Sequence, residues 1–168
     1  NRPDFAANGY AHGVPMGGNL SKPAVGQRPA FLVYAMRDPD GPNLDRIQVV
    51  KGWLGKDGKS QERIFDVAVS GGRKIGADGR CQTLVGSTVD VANATYTNTI
   101  GAAMLSAYWK DPTFDASQRA FYYVRVIQIP SPRWTAYDQK RFGIKMPDYV
   151  PMTVTDRAYT SPIWYSPN

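Results

Sequence analysis

Residues 120–129 read AFYYVRVIQI, a run dominated by β-branched and aromatic side chains with neither Gly nor Pro. In an extended chain Phe121, Tyr123, Ile127 and Ile129 point to one face, and Tyr122, Val124 and Val126 to the other. Both faces are apolar, so the run predicts a central strand covered on both sides. Arg125 interrupts one of those faces. A salt-bridged or snorkelling arginine at a sheet edge accounts for such a position, and contact with a ligand or a neighbouring domain is the alternative.

Six further segments carry the strand pattern. Residues 31–36 are a short apolar run. Residues 46–54 alternate, with Ile47, Val49 and Trp53 on one side, and Asp57-Gly58 supplies hairpin chemistry before residues 62–70 return. Residues 83–92, 103–109 and 162–165 complete the set. Thr135 followed by Asp138 resembles a capping box, and Gly143 stands where a helix would stop, so one short helix is expected after Pro130-Ser131-Pro132. Short strands at this spacing, separated by Gly and Pro, predict a mostly β fold: an antiparallel immunoglobulin-like β-sandwich of about seven strands with one short helix. Residues 1–29 lack a sustained period and read as a linker or lead-in arm, leaving 30–168 as the sandwich domain.

The 168 residues fit one domain with room for a core, and 42% hydrophobic against 20% charged content places the chain among globular proteins. No apolar run has the length of a membrane span. The net charge of +6 comes from scattered Lys and Arg, in pairs at most, whereas a nucleic-acid footprint clusters its charge; no nucleic-acid partner is expected. A single Cys, Cys81, excludes an internal disulfide and suits cytosol or periplasm alike. With one His, His12, far away in sequence, Cys81 reads as a structural thiol near a turn. The first residue is Asn1 and no basic-then-apolar leader follows it, so the expectation is a processed product or an excised piece whose address is not written in the chain.

Few residues carry recognisable chemistry. Asp38, Asp40, Asn43 and Asp45 offer hard oxygen ligands around Gly41, which suits calcium, but no Glu closes an EF-hand and Asp-Pro-Asp-Gly is also ordinary turn sequence. A catalytic zinc would need more His and Cys than the chain has. Gly71-Gly72-Arg73-Lys74 lacks the glycine order of a phosphate-binding loop. The polar stretch around Asn98 reads as a hydrogen-bonded strand edge or as a ligand-facing surface. Trp53, Trp109, Trp134 and Trp164 can stack on a sugar, or pack in the core and against a neighbouring domain.

The strings DPDGPNLDRIQVVKGW, VGSTVDVANATYTNTIGA, DPTFDASQRAFYYVRVIQIPSPRWTAYDQKRFG and RAYTSPIWYSP, with the lead-in FAANGYAHGVPMGG, resemble the C-terminal part of a bacterial family of unknown function, the one numbered 3604. The resemblance covers nearly the whole chain. It implies a longer parent whose N-terminal part is similar to PHP-type (polymerase and histidinol phosphatase) metal-dependent phosphoesterases. The His and Asp/Glu ligands of a divalent metal would lie upstream, so the resemblance carries no catalytic residue and no cofactor into this segment. Ser161-Pro162-Ile163-Trp164-Tyr165 resembles the closing strand of C-terminal sandwiches in related PHP-type proteins.

The first expectation is therefore a non-catalytic accessory domain whose partner is an N-terminal catalytic domain of the same protein, in a periplasmic or secreted bacterial setting. Arg125, Asn98 and Trp134 are its candidate ligand or inter-domain contacts, and the segment alone is not expected to be an enzyme. A free-standing carbohydrate- or ligand-binding module is the alternative, and it predicts a solvent-facing row of Trp or Tyr on one sheet face. A small enzyme, the third reading, would gather Arg125, Asp90 and Asp66 in a cleft.

Overall fold

The computed structural model describes residues 4–167; the first three residues of the lead-in and the last of the chain lie outside it. Strand β3 (Leu44–Leu54) is its spine, buried along its length as far as Gly52. It pairs antiparallel with β4 (Ser60–Val69) on one side and with β6 (Ala120–Gln128) on the other. The Asp57-Gly58 turn joins β3 to β4 as the sequence predicts: Gly58 takes a φ of 74° and the Asp57 carboxylate accepts the Lys59 N–H at 3.1 Å.

Two short strands, β9 (Arg157–Tyr159) and β10 (Ile163–Tyr165), pair in succession along the far edge of β6. The interruption between them has a cause. Pro162 has no N–H to give, and Thr160 bridges the gap by donating its N–H to the Val124 carbonyl and accepting the Val124 N–H on its hydroxyl, both at 3.0 Å. Strand β1 (Asn19–Leu20) adds in parallel to β10, giving the order β1-β10-β6-β3-β4.

A separate ribbon of β2 (Ala30–Met36) and β5 (Met104–Lys110) covers one face of this sheet. Phe31 and Trp109 of the ribbon meet Tyr122 and Phe65 of the sheet, with ring centroids 4.7 Å (Phe31–Tyr122) and 4.9 Å (Phe65–Trp109) apart. Val49, Ala120 and Tyr122 complete that core. Each such side chain contributes about 1.5–3 kcal/mol on burial. The ladder shifts by one residue at Val67, so that Ile47 faces Ala68 while Gln48 faces Asp66. Alternation from Phe65 sends Asp66 to the outer face and Val67 to the core, and the bulge then brings Ala68 opposite Ile47.

The fold is mostly β, with largely antiparallel sheets that do not close into a barrel, but it is more divided than the sequence suggests. Ten strands rather than about seven form among the described residues, the shortest pair being β7 (Ser131–Pro132) with β8 (Thr153–Val154). There are two helices rather than one: α1 (Phe5–His12) lies in the lead-in, and α2 (Trp134–Phe142) follows β7. Gly143 ends α2 in the left-handed conformation, as expected. The expected capping box does not form. Arg133 is the N-cap, and Thr135, inside the helix, donates its hydroxyl to the Pro151 carbonyl at 2.6 Å.

Residues 83–92 are not a strand. Their Ser, Thr and Asp side chains bond nearby backbone: Ser87 accepts from Val89 N–H, Thr88 donates to the Thr97 carbonyl, and Asp90 accepts from Asn93 N–H. These local bonds replace a ladder. Nor is β6 the strand covered on both sides. Phe121 and Tyr123 on its outer face are only half-buried, and the doubly covered strand is β3.

Candidate functional site

Each face of β3 carries a buried charge. On the ribbon side, the Lys51 ammonium reaches Asp111 at 2.6 Å and the Thr113 carbonyl at 2.8 Å. Tyr122 donates its hydroxyl to the same Asp111 oxygen at 2.8 Å, and the other oxygen accepts from Thr113 N–H at 2.8 Å and its hydroxyl at 3.0 Å. Lys51 also lies over the rings of Trp53 and Tyr122, at 5.5 and 5.8 Å. Burial alone would raise the Asp111 pKa. The hydrogen bond from Lys51, with those from Thr113 and Tyr122, overcomes it and holds the carboxyl below its usual range. The Tyr122 phenol is pushed up, first by burial and then by the Asp111 charge.

On the opposite face the charge is shared. Arg46 donates to Asp45 at 3.0 Å, to Asp66 at 3.1 Å and to the Cys81 carbonyl at 3.1 Å. Asp66 also accepts from the Gln48 amide and the Cys81 N–H, both at 2.7 Å. Asp45 is the bulged residue between Leu44 and Arg46, and Arg73 bonds both its carboxylate and its carbonyl. Burial pulls the Arg46 pKa down, but the Asp45 and Asp66 carboxylates outweigh it and leave the guanidinium more firmly charged than usual. Among the described residues, no buried side-chain nitrogen or oxygen lacks a partner. Both clusters are thus neutralised and hydrogen-bonded, a chemistry suited to fixing the backbone. Lys51 stands sixty positions from Asp111, a pairing sequence reasoning missed; the one available signal was a lysine inside an apolar alternating strand.

The residues singled out from the sequence are dispersed among these arrangements. Asp38 and Asp40 are exposed, while Asn43 and Asp45 are buried. Within the loop, Arg37 donates to the carbonyls of Asp38, Pro39 and Gly41 at 3.1, 2.6 and 2.8 Å, so a side-chain cation occupies that turn. Asn43 is bound to the second loop, donating to the Asn98 and Ile100 carbonyls and giving its N–H to the Asn98 side chain at 2.8 Å. Asn98 is thereby a staple between two loops. No group of three or more His, Cys, Asp or Glu positioned to hold a metal ion occurs among the described residues. Asp90 lies in its own turn, its pKa lowered chiefly by the Asn93 side chain. Cys81 is buried, with its N–H on Asp66. Trp134 is exposed at the start of α2, with the Arg133 guanidinium 5.6 Å from its ring. Arg125 is half-buried and donates its Nε to Gln48 at 2.8 Å, which ties it to the Asp66 network.

Two surfaces are open to partners. The outer face of the ribbon presents Leu32, Tyr34, Met36, Met104 and Tyr108, each about half exposed or more. Leu32 lies opposite Tyr108 and Met36 opposite Met104, so these residues form one stripe. The outer face of the main sheet presents Phe121, Tyr123, Tyr159 and Trp164 in ring-to-ring contact. A cleft of about 320 Å³ lies between β4, β5 and the loop at residues 75–79, lined by Arg63, Phe65, Ile75, Asp78 and Trp109. Among the described residues no helix is long and apolar enough to cross a membrane.

The sequence matches a family described as "Protein of unknown function (DUF3604)" over residues 1–167. No curated protein and no solved structure matches it.

Proposed function

This chain belongs to the DUF3604 family, and on that premise we propose that it is a non-catalytic accessory domain, an immunoglobulin-like β-sandwich that braces a PHP-type metal-dependent hydrolase in one longer polypeptide. The observation that carries this reading is the apolar stripe on the ribbon, Leu32, Tyr34, Met36, Met104 and Tyr108. A two-stranded ribbon already buries its inner residues, Phe31 and Ala107 among them, in the core. An equally apolar outer face needs a second cover, and the catalytic part is the cover the family resemblance implies. The packing of the ribbon on the six-stranded sheet supports the sandwich reading. The buried ion pairs support the non-catalytic one, since their charges are committed to each other. Any divalent metal would belong to the catalytic part, in a periplasmic or secreted enzyme.

The test compares this segment with the longer polypeptide against phosphate and sulfate esters in the presence of manganese, zinc or calcium. Activity is expected in the longer protein only. Met36→Glu there should loosen the two parts, seen as a separate unfolding transition, while the isolated segment stays folded. Turnover by the segment alone would overturn the proposal.

A further inference from the structure

The aromatic surface on the main sheet is built differently from the ribbon stripe, and it points to a ligand of its own. Trp164, Phe121, Gly52 and Glu62 lie across the sheet in one row, and Tyr123, Val50 and Ile64 in the next. A Cβ placed on Gly52 would stand 2.3 to 3.0 Å from the Cζ, Cε1 and Cε2 atoms of Phe121, so the end of that ring occupies the space over the glycine. The Tyr123 ring is parallel to the Phe121 ring within 10°, with its centroid 6.4 Å away. The two parallel rings form the centre of the platform. Trp164 of β10, 5.4 Å from Phe121, and Tyr159 of β9, 6.2 Å from Tyr123, are tilted against these rings by 49° and 42°.

Beyond Tyr159 the face turns basic. Arg125 sits directly across from Tyr159, and Arg157 is two residues along the same side of β9. Arg125 commits only its Nε, to Gln48, and its two terminal nitrogens bond no other described residue. Arg157 is exposed and its side chain bonds no other described residue. At the other end of the platform stands the exposed carboxylate of Glu62.

We propose that this face binds an acidic oligosaccharide. A pair of parallel aromatic rings between two tilted ones offers an apolar aromatic surface to the C–H face of a sugar ring. The guanidinium forks of Arg125 and Arg157 accept a carboxylate or a sulfate ester carried by that sugar or its neighbour. Glu62 repels an anion at the far end and so sets the direction of the chain. The net charge of +6 favours the approach of such a ligand. This site shares no residue with the ribbon stripe, so it stands or falls apart from the bracing role.

The experiment titrates the full chain with an oligogalacturonate, a sulfated hexasaccharide, a neutral hexasaccharide and inorganic sulfate, read by calorimetry and tryptophan fluorescence. One or both acidic sugars should bind roughly tenfold or more tighter than the neutral one, and inorganic sulfate should not compete. Phe121 supports the fold over Gly52, so the decisive variants are the exposed Tyr159→Ala and Arg157→Gln. Each should weaken binding about tenfold, the scale of a hot-spot truncation. Trp164→Phe should remove the fluorescence change. Failure of both acidic sugars to bind overturns the proposal. So does unchanged binding in the variants, or loss in Arg157→Gln with none in Tyr159→Ala, which marks simple polyanion attraction. Sedimentation showing a dimer that Tyr159→Ala dissociates would assign the face to a second copy instead.

Discussion

On the inner face of β3, Lys51 leans on one carboxylate; on the outer face, Arg46 divides its charge between two. Asp111 alone neutralises Lys51, and both side chains are almost wholly removed from solvent. Asp66 has Arg46, Gln48, Cys81 N–H and, at 3.6 Å, Arg80 around it, while Asp45 stands by as a second anion for Arg46. The two clusters are anchored by opposite strategies. The inner one pins the segment after β5 to the sheet through a single ion pair that has no substitute anion, with hydrogen bonds from Lys51 to Thr113 and from Tyr122 to Asp111 beside it. The outer one fastens the long loop after β4 through many contacts, any one of which has a neighbour. Redundancy, rather than burial, should decide how each responds to damage.

The largest effect expected is from Asp111→Ala, which strands a buried ammonium and should cost about 3–5 kcal/mol in urea unfolding. Asp66→Ala should cost less, about 1–3 kcal/mol, because Arg46 keeps Asp45 and the loss falls on Gln48 and one backbone N–H. Equal costs for the two would break the contrast. Gly52→Ala, on the outer side of the same strand, should lower stability by about 1–3 kcal/mol as Phe121 is forced off the backbone, with the loss read from thermal unfolding.

Acid and alkali should sharpen the difference further. The Asp111 pKa is depressed in the folded chain, so its contribution is complete above the unfolded value near pH 4 and is lost as pH falls through the lower folded value. The Tyr122 pKa is raised, so its share is whole below about pH 10 and is lost as pH climbs through the higher folded value. Asp111→Asn should flatten the acid limb of the stability curve, and a tyrosinate absorbance titration should show one late-ionising phenol that the variant releases earlier. The smallest effect belongs to Met36→Glu in the isolated chain, within about 0.5 kcal/mol, since that side chain is largely exposed there.

Much of the sheet was legible because β2, β3, β4, β5 and β6 carry their pattern locally. The Asp57-Gly58 turn and the Gly143 helix stop were likewise written in adjacent residues. What escaped is set by distance. Arg157–Tyr159 has too few residues to show a period, and its pairing is supplied by β6, some thirty residues earlier. Residues 83–92 show alternation, yet Ser87, Thr88 and Asp90 give their side chains to the backbone. Asn43 and Asn98 stand out in the sequence for unrelated roles, and meet as a loop staple across 55 positions. Arg125 stands out in the sequence as an irregularity in an apolar face; its link to Gln48 and its neighbour Tyr159 emerge only from register.

The broken outer strand of the main sheet has a consequence for how this chain keeps company with copies of itself. A long open β edge is a template on which other chains can add strands and aggregate. Here β10 is already covered by β1, and β9 is three residues long, carries Arg157 and is followed within a few positions by Pro162. At the far side, the Asp66 N–H is taken by the Gly79 carbonyl, so the loop after β4 occupies part of that edge as well. The β9–β10 side of the sheet is thus left with few free backbone groups in a row, and its faces offer more to specific association than that margin does.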